Sequence, residues 1–184
     1  MPYLGEFLAL MAPIAWSVAV ILYRVTGQMV PAPALNLFKN SLASVLFLIT
    51  AMVAGLPLLP EGSSSDVGLL LLSGAIGIGA SDTLFFMCLN RVGAALQAII
   101  NTSYSPSIIF LSILFLGERL TLVQALGVTI IVGAVLSVSW MRGHDHIPPR
   151  TLALGITLGI LTTMTQAISI VMVKPLLERS PLLW

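Results

Sequence analysis

Residues 92–117 read VGAALQAIINTSYSPSIIFLSILFLG, an unbroken run without a single Asp, Glu, Lys or Arg. A bilayer core about 30 Å thick needs roughly 20 apolar residues to be crossed by a helix, so this run is long enough to span a membrane. The whole chain has the same character, because 58% of its 184 residues are hydrophobic and only 8% are charged. Soluble domains carry about a quarter charged residues. We therefore expect an integral membrane protein.

Five further apolar runs flank this one, and Asp82 is the only charged residue inside them. They are Phe7 to Tyr23, Asn40 to Pro60, Val67 to Asn90, Leu120 to Met141 and Thr151 to Val173. The runs are too long and too uniformly apolar for the roughly ten-residue alternating strands of a membrane barrel. The sequence predicts an all-α, polytopic membrane helix bundle of six transmembrane helices joined by short connections.

The first and last runs look like two copies of one unit. A shift of 150 residues places Arg24 on Lys174 and Pro31 on Pro181, after apolar spans of the same length. Five helices per repeat is an odd number, so the second copy must enter the membrane from the opposite side. This inverted-repeat architecture is typical of many secondary transporters.

The motifs that follow the third run resemble a known family. They are Gly93-Ala94-Ala95-Leu96, the mid-span Ser105-Pro106, the turn Leu116-Gly117-Glu118-Arg119-Leu120-Thr121, and Gln124-Ala125-Leu126-Gly127 with Gly133. Together they are similar to the end of an EamA domain of the drug/metabolite transporter (DMT) superfamily. The resemblance implies one EamA repeat over residues 5–141, a linker loop over 142–150, and the start of a second repeat over 151–184.

Family members usually have ten helices in two inverted repeats, so the resemblance also implies a chain truncated after the first helix of the second repeat. It further implies a multi-pass protein of the plasma (inner) membrane that moves small organic metabolites or drugs by alternating access. Its partners would be the lipid bilayer, a small-molecule substrate, and protons or a cation. The alternative is a non-transporting subunit or fragment that needs a second copy, in a homodimer, or a missing half to form a pathway.

Other function classes lack the residues that they need. The sequence has no HExxH motif, no Walker loop and no pair of intramembrane aspartates, so we expect neither an enzyme nor a cofactor. A net charge of +1 gives no basic surface for nucleic acid. Cys88 is the only cysteine and cannot form an internal disulfide.

Charged side chains at membrane depth are the first candidates for function, because each costs about 3 kcal/mol on insertion scales. Asp82 lies eight residues before Asn90, or about 12 Å below the rim at about 1.5 Å per residue. It is either a proton or substrate-cation site or an acid that only holds the bundle together. Lys39, near the same rim, either extends to the headgroups or pairs with Asp82 as a gate or proton switch.

Neutral polar residues within the spans form a second group of candidates. With Asp82, we expect them to line a pocket for a small polar or zwitterionic organic solute; they are Trp16, Asn40, Asn101, Tyr104 and Gln166. Asn36 lies one turn before Asn40. Ordinary hydrogen bonding between helices is the alternative role for each of them.

Three residues are expected to have structural roles. Pro106 should bend the fourth helix, since its ring displaces the hydrogen bond to the carbonyl of Thr102. Glu118 and Arg119 should form an ion pair that caps the fifth predicted span, Leu120 to Met141.

Small residues at helical spacing, among them Gly74, Gly77, Gly155 and Gly159, should allow close approach of neighbouring helices.

The stretch His144-Asp145-His146 has the residue types of a metal site. Alternate residues on a loop before Pro148-Pro149 do not make a preformed site, so we expect a solvated loop and no metal.

Two arguments on membrane orientation disagree. The distribution of Lys and Arg near the rims places the amino terminus outside, whereas the family resemblance implies that it is inside.

Overall fold

The computed structural model of the protein describes residues 4–55, 63–117, 119, 121–140 and 147–178. Within these residues it contains seven α-helices, one π-helical segment and no strand. The helices are α1 (Leu4–Thr26), α2 (Ala32–Val53), α3 (Ser64–Gly74), the π-helix (Ala75–Ala80), α4 (Ser81–Asn101), α5 (Tyr104–Leu116), α6 (Leu122–Trp140) and α7 (Pro149–Leu177). The predicted all-α fold is confirmed.

Four helical stretches of the described residues are long and apolar enough to cross a membrane. They are Gly5–Thr26, Ala32–Val53, Ser64–Asn101 and Pro149–Leu177, with the shorter apolar helices Tyr104–Leu116 and Leu122–Ala134 beside them. The second span begins eight residues earlier than predicted, at Ala32 rather than Asn40. The protein is therefore a polytopic helical bundle.

The stretch Ser64–Asn101 reverses direction at Gly93 and is not one straight helix. Gly93 has φ +81° and ψ 170°, a backbone conformation that is essentially restricted to glycine. A straight helix would separate Cys88 from Ile100 by about 18 Å, yet both side chains lie against Gly159 of α7. We call residues 81–92 the first arm of α4 and residues 94–101 its second arm. With this reversal, the third and fourth predicted spans are separate passes.

The helix is interrupted one turn before Pro106, where a bend is predicted. Helix α4 ends at Asn101 and α5 begins at Tyr104, so the break lies at Thr102 and Ser103. Pro106 has no N–H to donate to the carbonyl of Thr102, and its ring crowds that carbonyl. Regular bonding resumes with Ser107, whose backbone N–H donates to the Ser103 carbonyl at 3.0 Å.

Helix α7 is the central helix of the described bundle and contacts α3, the π-helix, α4 and α5. Gly155 lies against Val92, as Gly159 lies against Cys88 and Ile100. Glycine at these two positions allows the backbones of α7 and α4 to approach closely, as predicted. Gly74 differs, because nothing lies within 4 Å of the point where its Cβ would stand.

Two serine hydroxyls fix the depth of α7 against its neighbours. The Ser73 hydroxyl donates to the carbonyl of Ser169 at 3.0 Å, and the Ser81 hydroxyl donates to the carbonyl of Thr162 at 3.0 Å. All of these groups are buried, where a hydrogen bond to a backbone carbonyl replaces the missing water.

Helices α1, α2 and α6 expose most of their apolar side chains. Phe47 of α2 is 76% exposed, and Leu122 of α6 is 80% exposed. In a bilayer such surfaces face acyl chains.

The cap of α6 is formed by two neutral residues. The backbone N–H of Thr121 donates to Oε1 of Gln124 at 2.9 Å, and the backbone N–H of Gln124 donates to Oγ1 of Thr121 at 3.3 Å. This reciprocal pattern is a capping box, so Thr121 and Gln124 take the role expected of Glu118 and Arg119. Glu118 lies outside the described residues, and its ion pair with Arg119 stays a prediction. The stretch His144-Asp145-His146 also lies outside them.

Candidate functional site

An ion pair joins α2 to the start of α4. Nζ of Lys39 donates to Oδ2 of Asp82, and about a fifth of each side chain is exposed, 22% and 21%. The Lys39 ammonium also lies 5.6 Å from the centre of the Phe86 ring, which places it within range of a cation–π interaction. The meeting of Lys39 and Asp82 that the sequence suggested is therefore present.

The pair forms because the turn between α1 and α2 is tied to the end of the first arm of α4. The Arg24 guanidinium donates to the carbonyl of Leu89 at 2.8 Å, and the Asn90 amide donates to the carbonyl of Gly27 at 2.8 Å. Helix α2 then runs back along the first arm. Seven residues into α2, Lys39 comes level with Asp82, which lies eight residues before Asn90.

Asn36, one turn before Lys39, holds the backbone that leads into Asp82. Its side chain is 4% exposed. Its amide nitrogen lies 3.1 Å from the carbonyl oxygen of Ile78, 2.9 Å from that of Gly79 and 3.0 Å from the Thr83 hydroxyl. Both carbonyls belong to the π-helix, and Asn36 Oδ1 accepts a hydrogen bond from Asn40 at 2.8 Å. Asn36 was not among the predicted site residues, although its spacing from Lys39 and Asn40 puts all three on one helical face.

The π-helix ends at Ala80, two residues before Asp82. Its i→i+5 bonding is rare and is found mostly as single turns, often at functional sites. Gly77 within it lies directly against Ser169 of α7. The segment AIGIGA therefore combines an unusual backbone geometry with close contacts to both α2 and α7.

A second candidate site is a cavity of about 410 Å³ between α1 and the second arm of α4. The residues that line it are Trp16, Ser17, Val20, Ile21, Ala94, Ala95, Gln97, Ala98 and Asn101. The Trp16 ring lies 5.8 Å from the ring of Phe85. Among the described lining residues there is no charged side chain. Gln97 was not predicted, although it lies one helical turn before Asn101 and on the same face.

The structure divides the predicted site residues between these two places. Trp16 and Asn101 line the cavity, whereas Asp82, Lys39 and Asn40 belong to the ion-pair network. Neither place contains all of the predicted site residues, so the common pocket stays a prediction.

Tyr104 and Gln166 belong to neither place. Tyr104 packs against the apolar cluster of Leu111, Ala167 and Val171, and Gln166 is half-buried on α7. In the part of the chain that the structure describes, neither side chain bonds to the ion pair or lines the cavity, so their binding roles stay predictions.

The comparisons with known proteins give one match. The model of the EamA-like transporter family matches residues 3–140, which include α1 to α6, the ion pair and the cavity. No curated protein and no solved structure matches the chain. The matched range is well over half of the sequence and agrees with the motifs around Pro106, so the chain belongs to the EamA-like transporter family and is a membrane transporter of the DMT superfamily.

Proposed function

We propose that this protein is a secondary transporter that moves small organic solutes across the plasma (inner) membrane by alternating access. Family membership supports transport, and the observation that carries the coupling mechanism is the Lys39–Asp82 pair. The pair joins two helices at membrane depth, where an unpaired charge is costly. Its formation and release are therefore suited to driving a change in helix packing.

Protonation of Asp82 provides the release. A neutral carboxylic acid no longer holds the Lys39 ammonium, and removal of one partner from a desolvated pair leaves the other charge uncompensated. Lys39 lies about 10 Å into α2 at about 1.5 Å per residue, and its long apolar stem lets the ammonium extend toward the headgroups. The contact between α2 and α4 then loses its ion pair and is held by neutral groups, among them Asn36 and Thr83. Return of the proton to water restores the pair and closes this side of the bundle.

We also propose that residues 5–141 form one repeat, 142–150 a linker, and 151–184 the start of a second repeat. The family match that ends at residue 140 supports the first boundary. Helix α7, which begins the proposed second repeat, packs against four elements of the first. That contact surface is where an inverted repeat would move during alternating access.

The transport proposal is tested with the purified full chain in liposomes. The liposomes are incubated with a defined mixture of amino acids, nucleobases, sugars and aromatic amides, with and without an imposed pH gradient. We expect at least one solute to accumulate inside, measured by mass spectrometry, and to accumulate faster with the gradient. Protein-free liposomes are the control. Folded protein that accumulates none of these solutes would contradict the proposal and support the alternative of a non-transporting subunit that needs a second copy or a further half.

A further inference from the structure

We infer that the cavity between α1 and the second arm of α4 binds a neutral, planar organic solute that both donates and accepts hydrogen bonds, of the chemical class of the aromatic carboxamides. The inference rests on the proposed function only in treating this solute as the transported substrate. The binding itself is argued from four features of the cavity: an unpartnered amide, a second amide one turn away, an aromatic wall, and the absence of charge in the described lining.

Gln97 is the strongest of these observations. Its side chain is only 3% exposed and lines the cavity, yet its amide forms no hydrogen bond to any residue that the structure describes. The amide is open to the cavity and not enclosed by protein, so its partner must come from the occupant of the cavity. A polar group without a partner costs about 1–3 kcal/mol, and hydrocarbon offers it no partner at all. An acyl chain in the cavity would leave this cost in place. The occupant that removes it must form hydrogen bonds.

Asn101 extends the polar wall. It follows Gln97 by one helical turn, so the two amides are spaced by about 6 Å along the axis of the second arm. The Asn101 side chain also lines the cavity and makes no hydrogen bond within the described part of the chain. Each primary amide offers two donors and one acceptor. A solute that carries its own amide matches this set in both directions.

Trp16 supplies the planar surface. Trp16 is 50% exposed and lines the cavity. Its ring also contacts the ring of Phe85, at an angle of 49°. Aromatic rings favour offset stacking or edge-to-face contact. On the second arm, Ala94, Ala95 and Ala98 have only a methyl side chain, which leaves the space open. The volume of about 410 Å³ lies within the range of about 300–1,000 Å³ that is usual for small-molecule sites.

The uncharged lining of the cavity favours a solute without net charge. A charged group that enters an apolar cavity must lose its water, and this is costly unless a counter-charge is present. The described lining residues contain none, and Lys39 and Asp82 are paired with each other. A neutral solute is therefore favoured over the zwitterion that the sequence suggested.

Three molecules of the same shape test this directly: benzamide is neutral, benzoate is an anion and benzamidinium is a cation. Binding of each to the purified full chain in nanodiscs is measured by equilibrium dialysis. We expect saturable binding of benzamide, with benzoate and benzamidinium weaker by about tenfold or more, since about 1.4 kcal/mol corresponds to a factor of ten. Similar affinities for all three, or no saturable binding of benzamide, would overturn the inference.

Two substitutions assign the binding to Gln97. Gln97→Leu keeps the approximate volume but removes the amide, so benzamide affinity should fall about tenfold. Gln97→Glu introduces a negative charge and should reverse the preference, so that benzamidinium binds more tightly than benzamide. Gln28→Leu, at an exposed position in the turn between α1 and α2, is the matched control and should leave all three affinities unchanged. An unchanged benzamide affinity in Gln97→Leu, or an unchanged order in Gln97→Glu, contradicts the assignment.

Binding does not require transport, so the two proposals fail separately. If the protein does not select benzamide, the binding inference fails, and the transport proposal is still tested by gradient-driven uptake. Conversely, a protein that binds benzamide through Gln97 but accumulates no solute refutes transport and retains the site.

Discussion

The side-chain amide of Asn36 lies 2.9 Å from the carbonyl oxygen of Gly79, the residue three positions before Asp82. The contact joins α2 to the π-helix, one turn from the Lys39–Asp82 pair. Asn36 donates to two carbonyls of the π-helix, and the Thr83 hydroxyl also donates to that of Gly79, at 2.8 Å. The geometry of the ion pair therefore depends on a neutral residue as well as on the two charges.

Substitution of Asn36 by leucine should destabilise the π-helix. The carbonyl of Ile78 would lose the Asn36 donor and that of Gly79 would keep only the Thr83 hydroxyl, at a cost of about 1–3 kcal/mol. We expect a lower unfolding temperature and faster hydrogen exchange across residues 75–83. Asn40→Leu is the control, because Asn40 contributes only one hydrogen bond, to Asn36 Oδ1. Equal changes in unfolding temperature and hydrogen exchange in the two variants would show that the contact between Asn36 and the π-helix does not stabilise that segment.

Substitution of Gly155 by alanine should separate α7 from the first arm of α4. The added methyl group would overlap with Val92, and overpacking of this kind costs about 1–3 kcal/mol. Gly133→Ala on α6 is the matched control, because nothing lies within 4 Å of its Cβ position. There alanine should stabilise the helix by about 0.5–1 kcal/mol. Thermal unfolding of both variants in detergent measures the difference, and the same shift in both would contradict the described packing of α7.

The topology predicts which positions share a membrane face. Because the chain reverses at Gly93, Gln28, Arg91 and Ile147 should lie on one face, whereas Ser65, Arg119 and Glu178 should lie on the opposite face. Cysteine introduced at each position should react with an impermeant maleimide from one side only; native Cys88 is fully buried and should remain unlabelled. Labelling of Ser65→Cys and Arg119→Cys from opposite sides would refute a reversal at Gly93.

The sequence was sufficient for the helical passes and for the interruption before Pro106, because membrane thickness and the missing proline N–H act through local composition. It indicated the meeting of Lys39 and Asp82 only as one of two alternatives, because short connections make neighbouring helices antiparallel but do not decide whether a lysine pairs or extends to the headgroups. The π-helix was not predictable, because AIGIGA has no side-chain pattern that separates π from α bonding. Gln97 and Asn36 were missed for a related reason: an amide inside an apolar run does not reveal whether another helix satisfies it. Only the tertiary structure separates Asn36, which is bonded, from Gln97, which is not.

We propose that Asp82 couples proton movement to transport. Asp82→Asn keeps the size and a hydrogen-bond acceptor for Lys39 but removes the titratable charge, so the protein should still fold. Glu6→Gln, which removes an exposed acid at the start of α1, is the control and should behave as the unaltered protein. A purely structural role predicts the reverse pattern for Asp82→Asn, with poor expression but normal transport by the molecules that survive.

The most direct measurement is uptake of the solute mixture by Asp82→Asn protein in liposomes under an imposed pH gradient, normalised to folded protein. The mechanism predicts that the stimulation by the gradient is lost and that uptake falls about tenfold or more, which corresponds to about 1.4 kcal/mol. Undiminished uptake that still responds to the pH gradient would remove Asp82 from the mechanism.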